Sequence, residues 1–211
     1  MLIFVGLTAH AQQKINFGVH AGASMSEFSN FGSNSMQPGA QAGVFGEYNF
    51  SSPQQGLYFN IGLQWSLKSY KTKEIVDGSI FDQNPIAKAT TTTSTVCLNY
   101  LEMPFHIGYK FPVSKKVSFF IEGGPYISYA AWGKSKLELD GKTVKSSSDI
   151  FGDGEFNRFD YGLSAEVGLL IDKHYRISVS YEHGFRNQYE SEKKSKSCTN
   201  NTVMLNMGYI F

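Results

Sequence analysis

Eight segments of this 211-residue chain alternate apolar and polar side chains, and long and short connections alternate between them. The clearest example spans residues 57–68, where Phe59, Ile61 and Leu63 share one face and Asn60 and Gln64 share the other. Successive side chains of a β-strand point to opposite faces, so this alternation predicts strands with one apolar face.

The eight predicted strands cover residues 14–24, 39–50, 57–68, 94–111, 117–132, 156–171, 174–186 and 203–211. The long connections are residues 25–38, 71–92, 133–155 and 187–201, and the short ones are residues 51–56, 112–116 and 172–173. Even-stranded outer-membrane barrels have short periplasmic turns and long outer loops. We therefore predict an all-β, eight-stranded antiparallel up-and-down transmembrane β-barrel in the bacterial outer membrane, with both termini periplasmic.

Composition agrees with this fold class. Aromatic residues make up 15% of the chain and Gly occurs 21 times, which favours strands and tight turns. The sequence has no run of about 20 apolar residues, which excludes a spanning helix. A net charge of +1 gives no indication of a nucleic-acid partner.

The first residues have the form of the end of a secretion signal. Residues 2–7 are apolar, and Ala9, His10 and Ala11 fit the A-x-A cleavage pattern. We expect residues 1–11 to be a residual signal peptide and residues 12–211 to form a single outer-membrane β-barrel domain. The alternative is an apolar first strand.

The final segment places Val203, Leu205, Met207, Tyr209 and Phe211 on one face. A terminal apolar strand that ends on an aromatic residue is typical of outer-membrane barrels. We expect Tyr209 and Phe211 to act as the C-terminal assembly signal read by the barrel-assembly machinery.

Charges of both signs recur on the polar faces of the strands. Buried charges must be paired, and an eight-stranded barrel is just wide enough to be filled by side chains. We predict a plugged, salt-bridged lumen, with Lys110 near the periplasmic rim. Its charge network comprises Glu47, Lys68, Glu102, Glu122, Arg158, Asp160, Glu166, Arg176, Glu182 and Arg186. The alternative is a soluble ligand-binding barrel, with an apolar interior and these charges on a solvated surface.

Aromatic residues flank the apolar band on both sides, as expected for membrane girdles. The predicted periplasmic girdle is Phe50, Phe59, Tyr109, Phe111, Tyr175, Tyr209 and Phe211. The predicted outer girdle is Trp65, Tyr129, Trp132, Phe159 and Phe185. Pro104 lacks an N–H donor, so a bulge or a locally broken ladder is expected there.

Three motifs resemble PorT-type outer-membrane β-barrel proteins of Bacteroidetes, which have OmpA/OmpX-like eight-stranded barrels. The motifs are Asn99-Tyr100-Leu101-Glu102-Met103-Pro104-Phe105, Phe159-Asp160-Tyr161-Gly162-Leu163 and Gly123-Gly124-Pro125-Tyr126. The resemblance covers residues 12–211 and implies the same barrel. It assigns no specific activity, and we interpret Glu102 and Asp160 as architectural.

Cys97 and Cys198 are the only cysteines, and each lies where a strand meets a long loop. Export would favour a disulfide between them. Two free thiols are the alternative, since those strands lie on opposite sides of a small barrel and Cα atoms more than about 7 Å apart cannot be bridged.

The sequence indicates no cofactor, no metal site and no catalytic set with a defined spacing. A hydrolase site at the outer rim could be formed by His20 with Ser24 and Ser26, or by His183 with Glu182. Asp149, Asp153 and Glu155 could supply oxygen ligands for a calcium ion, although their spacing departs from that of the EF-hand loop. A polar loop is the simpler interpretation of these three acids.

We therefore expect a monomeric, non-enzymatic barrel with a structural or interaction and adhesion role. Its expected partners are outer-membrane lipid, lipopolysaccharide and a surface or envelope protein. The basic loop formed by Lys193, Lys194 and Lys196 could touch anionic headgroups or glycans, although a solvated loop face is the simpler interpretation. The remaining alternatives are a narrow porin for small solutes and the rim hydrolase.

Overall fold

A computed structural model describes residues 14–29, 36–76, 90–147, 157–187 and 199–211. Its strands are β1 (Ile15–Phe28), β2 (Gln37–Asn49), β3 (Gly56–Val76), β4 (Thr90–Pro112), β5 (Val117–Leu139), β6 (Lys142–Ser147), β7 (Phe159–Ile171), β8 (Tyr175–Gly184) and β9 (Asn200–Ile210). Within these ranges, no helix is long and apolar enough to cross a membrane.

Eight of the strands close into a ring. The sheet runs β4-β3-β2-β1-β9-β8-β7-β5, all antiparallel, and pairing of β4 with β5 closes it. Among the described strands, β6 pairs with β5 alone. The predicted eight-stranded antiparallel barrel is therefore confirmed. We call the end with the residue 49–56, 112–117 and 171–175 connections the turn end, and the opposite end the loop end.

Side chains alternate between the lumen and the outside along every barrel strand. On β8, Arg176, Ser178 and Ser180 are buried, while Ile177 and Val179 are exposed. The apolar face points outward and the polar face points inward, the arrangement of a membrane barrel. The alternative of a soluble barrel with an apolar interior and hydrated charges is therefore wrong.

The ladder is interrupted beside Pro104, as the sequence predicted. Pairing between β3 and β4 passes from Ile61↔Phe105 to Gln64↔Glu102, and pairing between β4 and β5 passes from Pro104↔Tyr126 to Ile107↔Gly123. The pairing register is the same on the two sides of each gap. A side chain on Gly124 would collide with the carbonyl oxygen of Phe105, so Gly allows the backbones to approach here.

A bulge at the loop end reverses the facing of β5. Asn99 pairs with Trp132 but Tyr100 pairs with Ala130, so Ala131 is an extra residue. An extra residue shifts every following side chain to the opposite face. Beyond it, Lys134 and Lys136 point outward with Trp132, in register with Cys97 and Thr95.

Part of the sheet projects beyond the ring at the loop end. This projecting sheet consists of residues 70–76, 90–96 and 133–139 of β3, β4 and β5, together with β6. The loops predicted at residues 71–92 and 133–155 are therefore partly strand. Asp140 and Gly141 both have positive φ, 47° and 79°, and make the tight turn into β6.

Candidate functional site

The candidate site is the lumen, where charged side chains from different strands meet. Near the turn end, the Arg176 guanidinium lies 2.8 Å from Glu166, 3.2 Å from Glu122 and 3.6 Å from Glu47. These carboxylates come from β7, β5 and β2, and Arg176 is on β8, so one planar guanidinium links four strands. Glu47 also pairs with Lys110, whose ammonium donates to Asn49 and to the carbonyl of Pro53.

A second ionic group lies nearer the loop end and is centred on Lys68. Its Nζ is 3.0 Å from Glu102 Oε2 on β4 and 2.8 Å from Glu182 Oε2 on β8. The Lys68 side chain is 0% exposed. Gln64 donates a further hydrogen bond to Glu102. The pair with Glu182 crosses the lumen, because β3 and β8 are not neighbours in the ring.

Two apolar clusters also face the lumen, and the sequence analysis missed both. Phe45, Phe120, Leu170 and Ile210 lie toward the turn end, where Arg176 Cζ is 4.1 Å from the centroid of the Phe120 ring. The loop-end cluster is Tyr70, Val96, Leu98, Tyr100 and Ala130. Each member occupies a lumen-facing position of an alternating strand. Alternation assigns the face of a residue but gives no indication of where apolar residues gather along the lumen.

A small cavity of about 30 Å³ remains within the charged lumen. It is lined by residues from both ionic groups, including Arg176 and Glu182, and by Ser164 and His106. Gln41 and Asn60 also line it, and each has an amide oxygen with no hydrogen-bond partner among the described residues. Such a polar space is large enough for a buried water.

His106 connects a serine and a carboxylate at this cavity. Its Nε2 lies 2.6 Å from Ser164 Oγ and its Nδ1 lies 3.1 Å from Glu122 Oε1. These distances fit the order nucleophile, base and acid. All three residues are buried, and the adjoining space is the size of a water rather than of a substrate. Spacing in the sequence could not have found the set, since it joins β4, β5 and β7.

The structure brings together most of the residues predicted for the charge network. Asp160 is buried as well, where it accepts hydrogen bonds from Tyr126 Oη at 3.3 Å and from the Tyr161 N–H at 2.9 Å. Lys110 lies near the turn end and belongs to the Arg176 group.

Arg158 and Arg186 differ from the prediction. Arg158 is exposed just before β7 begins, where it donates to the carbonyls of Ala130 and Ala131, and Arg186 donates to Asn157 at the loop end. Arg158 precedes β7 and Arg186 follows β8, so both lie at the loop end, outside the barrel strands.

The residues of the rim-hydrolase alternative do not come together at the rim. His20 lies inside the lumen against the ring of Phe45 and lines the cavity, rather than lying at the outer rim. His183 is on β8 next to Glu182, but adjacent strand residues face opposite sides, and its Nδ1 contacts Asn201 instead.

The outward surface carries the predicted aromatic residues. Tyr109 contacts Phe111, and Tyr209 contacts Tyr175 and Phe211, all at the turn end. Trp132, Tyr129, Phe159 and Phe185 are exposed toward the loop end. Lys136 and Glu138 form an ion pair of 2.6 Å on the projecting sheet, and the hydrogen bond from Lys136 lowers the pKa of the Glu138 carboxyl.

Several predicted features lie outside the described residues: residues 1–11, Cys198, Asp149, Asp153, Glu155, Lys193, Lys194 and Lys196. Cys97 faces outward on β4, where Ser69 Oγ donates to its Sγ. The disulfide therefore stays a prediction. In the part of the chain that the structure describes, no group of three or more His, Cys, Asp or Glu side chains could hold a metal ion.

Comparison with protein-family models assigns this chain to a family. Residues 10–190 match the family model described as outer membrane protein beta-barrel domain. A comparison with curated protein sequences gives no match.

Several solved structures are similar. Neisserial surface protein A (NspA) is 12% identical, covers 92% of this chain and 97% of its own, and has a TM-score of 0.42. Ail, the attachment invasion locus protein of Yersinia pestis, crystallised with the heparin analogue sucrose octasulfate, is 15% identical over 94% and 99% of the two chains, with a TM-score of 0.40. OprG from Pseudomonas aeruginosa is 10% identical, and the match covers 94% of this chain and 97% of OprG, with a TM-score of 0.39.

Proposed function

The chain belongs to the outer membrane protein β-barrel domain family, and on this premise we propose that it is a non-conducting, non-enzymatic monomer that displays its loop end at the cell surface. In this proposal the turn end and both termini are periplasmic. The barrel is a rigid scaffold. The projecting sheet and the loops form the surface for structural contact or adhesion.

The contact between Lys68 and Glu182 carries the proposal of a closed lumen. The two side chains come from strands that are not neighbours, and their atoms meet at 2.8 Å across the barrel. Removing one partner of a buried ion pair costs about 3–5 kcal/mol, because the other charge stays buried and unpaired. A passage for solutes would require these contacts to break.

Planar-bilayer recording of the refolded chain tests this proposal. We expect no steady single-channel steps from the wild type. An Arg176→Ala variant should produce them, since Arg176 holds the carboxylates of three other strands. Lys142→Gln is the matched control, because that lysine is exposed on β6 outside the ring. Steady steps from the wild type would overturn the closed lumen.

A narrow pore for small solutes is the second candidate, favoured by the surplus of acidic side chains in the lumen. The buried acids Glu47, Glu102, Glu122, Asp160 and Glu182 face the buried cations Lys68, Lys110 and Arg176. A pore with this surplus of carboxylates would select cations. The sign of the reversal potential in a salt gradient distinguishes such a pore from leakage.

We also propose that the chain lies in the PorT-type branch of barrels. This is supported by the three sequence motifs, together with the structural role of their residues. Glu102 pairs with Lys68 inside the lumen, and Gly124 lies where two backbones approach closely. The buried position of Asp160 agrees with an architectural rather than a chemical role.

A further inference from the structure

The outward face of β3, β4 and β5 changes character in steps toward the loop end. Trp65, Leu101 and Tyr129 form one row across the three strands. The next row, Leu67, Asn99 and Trp132, includes a hydrogen bond of 3.0 Å from the Trp65 indole to Asn99. Then follow Ser69, Cys97 and Lys134, and after them Lys71, Thr95 and Lys136. The surface therefore passes from apolar to amphipathic to basic.

The lysines of this surface are only partly neutralised. Lys136 pairs with Glu138, which lies one row further out. Within the described ranges, neither Lys71 nor Lys134 has an ion pair. The charge of Lys71 also acts on Glu138, after that of Lys136. Three lysines thus face one carboxylate, so the described part of this outward face keeps a surplus of positive charge that can bind an external anion.

Their height relative to Trp132 identifies the kind of anion. A strand rises about 3.3 Å per residue and tilts by about 40° in a barrel, so two residues along one strand advance about 5 Å along the axis. Trp132 is exposed on the lipid-facing side, and tryptophan of a membrane barrel lies at headgroup level. On the same strand, Lys134 then lies about 5 Å beyond that level and Lys136 about 10 Å beyond it. Lys71 is in register with Lys136 through Thr95 of β4.

We propose that Lys71 and Lys134, assisted by Lys136, form a site for the phosphate groups of the lipid A part of lipopolysaccharide. The lysine stems lie along the outer surface of the sheet, and their ammonium groups reach the phosphates of a lipid packed against Trp132. This proposal uses the orientation given under Proposed function, in which the loop end lies in the outer leaflet.

The same projecting sheet supplies a matched control on its other face. Leu137 and Leu139 face the lumen side, and their partners on β6 are Lys145 and Lys142. Replacing these two lysines removes the same charge from the same sheet, but from the side that does not continue into the lipid-facing surface.

The test is native mass spectrometry of the full chain in detergent micelles, titrated with bisphosphorylated lipid A. Each lysine near a headgroup contributes roughly 5-fold in affinity, so Lys71→Gln with Lys134→Gln should weaken retention roughly 25-fold. Lys142→Gln with Lys145→Gln should leave it unchanged. Glu138→Gln should strengthen retention, because it releases Lys136.

Three results would overturn the site. Equal losses from the two double variants would mean that only net charge matters. Equal retention of dephosphorylated lipid A would exclude phosphate recognition. Displacement of lipid A by millimolar inorganic phosphate would indicate a general anion site. Protease access to the loop end in intact cells tests the orientation separately, and bilayer recording tests the closed lumen.

Discussion

Lys68 on β3 and Glu182 on β8 meet across the interior of the barrel, with Nζ 2.8 Å from Oε2. The same ammonium lies 5.4 Å from the ring centroids of Tyr100 and Tyr126, and 3.0 Å from Glu102. One flexible side chain therefore satisfies two carboxylates that have no other cation within reach in the described lumen.

Replacing Lys68 by Met should destabilise the barrel by about 3–5 kcal/mol, because two buried carboxylates lose their cation. Urea unfolding in detergent micelles, followed by heat-modifiable gel migration, measures the change. Lys142→Met removes an exposed lysine and should change stability by less than about 0.5 kcal/mol. Adding Glu182→Gln to Lys68→Met should recover part of the loss. Equal urea midpoints for wild type and Lys68→Met would contradict the buried network.

Arg176→Lys should fail to replace the arginine although it keeps the charge. A lysine ammonium is a point charge and cannot span Glu47, Glu122 and Glu166 as the guanidinium does. We expect a lower urea midpoint and brief, cation-selective current steps in bilayers. If the Arg176→Lys variant were as stable as the wild type and gave no current steps, charge alone, without the geometry of the guanidinium, would close the lumen.

Gly124→Ala should impair folding, because its methyl group would meet the backbone carbonyl of Phe105. Gly46→Ala is the matched control, since the nearest atom to its new methyl group is an aromatic carbon of Phe17 at 3.5 Å. Refolding yield into micelles distinguishes the two. Equal yields would show that the strands can separate at Pro104 without penalty.

Ser164→Ala should have a modest effect, a loss of about 1 kcal/mol, because the hydroxyl contacts His106 at 2.6 Å and donates only a long hydrogen bond, 3.4 Å, to the Gly124 carbonyl. The wild-type serine should not react with a fluorophosphonate probe, because the cavity beside it is only about 30 Å³. Mass spectrometry of the probe-treated wild type and of the Ser164→Ala variant shows whether either protein is labelled. Covalent labelling that disappears in Ser164→Ala and in His106→Ala would instead favour a lumen hydrolase.

Phe211→Ala should lower the amount of barrel assembled in the outer membrane while sparing refolding in detergent. The Phe211 side chain is 73% exposed, and its ring contacts only Tyr209 among the described aromatic rings, so little packing is lost. Loss in cells but not in micelles fits recognition by the assembly machinery. Equal loss in both settings would make Phe211 a packing residue.

Alternation predicted the ring and the lumen face of most charges because lipid contact demands an apolar residue at every second position. Glu47, Glu102 and Arg176 could be assigned in this way. This alternation stops where the strands extend beyond the lipid. Residues 90–93 and β6 have polar residues on both faces, so alternation does not mark them as strands. For β6, the remaining signal is the Asp140-Gly141 turn, a strong hairpin sequence.

Contacts across the lumen were beyond sequence reasoning. His106, Ser164 and Glu122 are far apart in the chain, and their meeting depends on the stagger between strands rather than on facing alone. His20 was misplaced for the same reason: its face was predicted correctly, but its height along the barrel was not. Arg158 was assigned by facing, although its level lies beyond the packed lumen.

Ala131 adds one residue to β5, and that residue decides which side of the outer extension carries its lysines. Without it, Leu137 and Leu139 would turn outward and Lys134 and Lys136 would turn inward, with composition and length almost unchanged. A one-codon deletion is therefore enough to exchange a basic outer face of this extension for an apolar one, while the wall of the barrel stays the same.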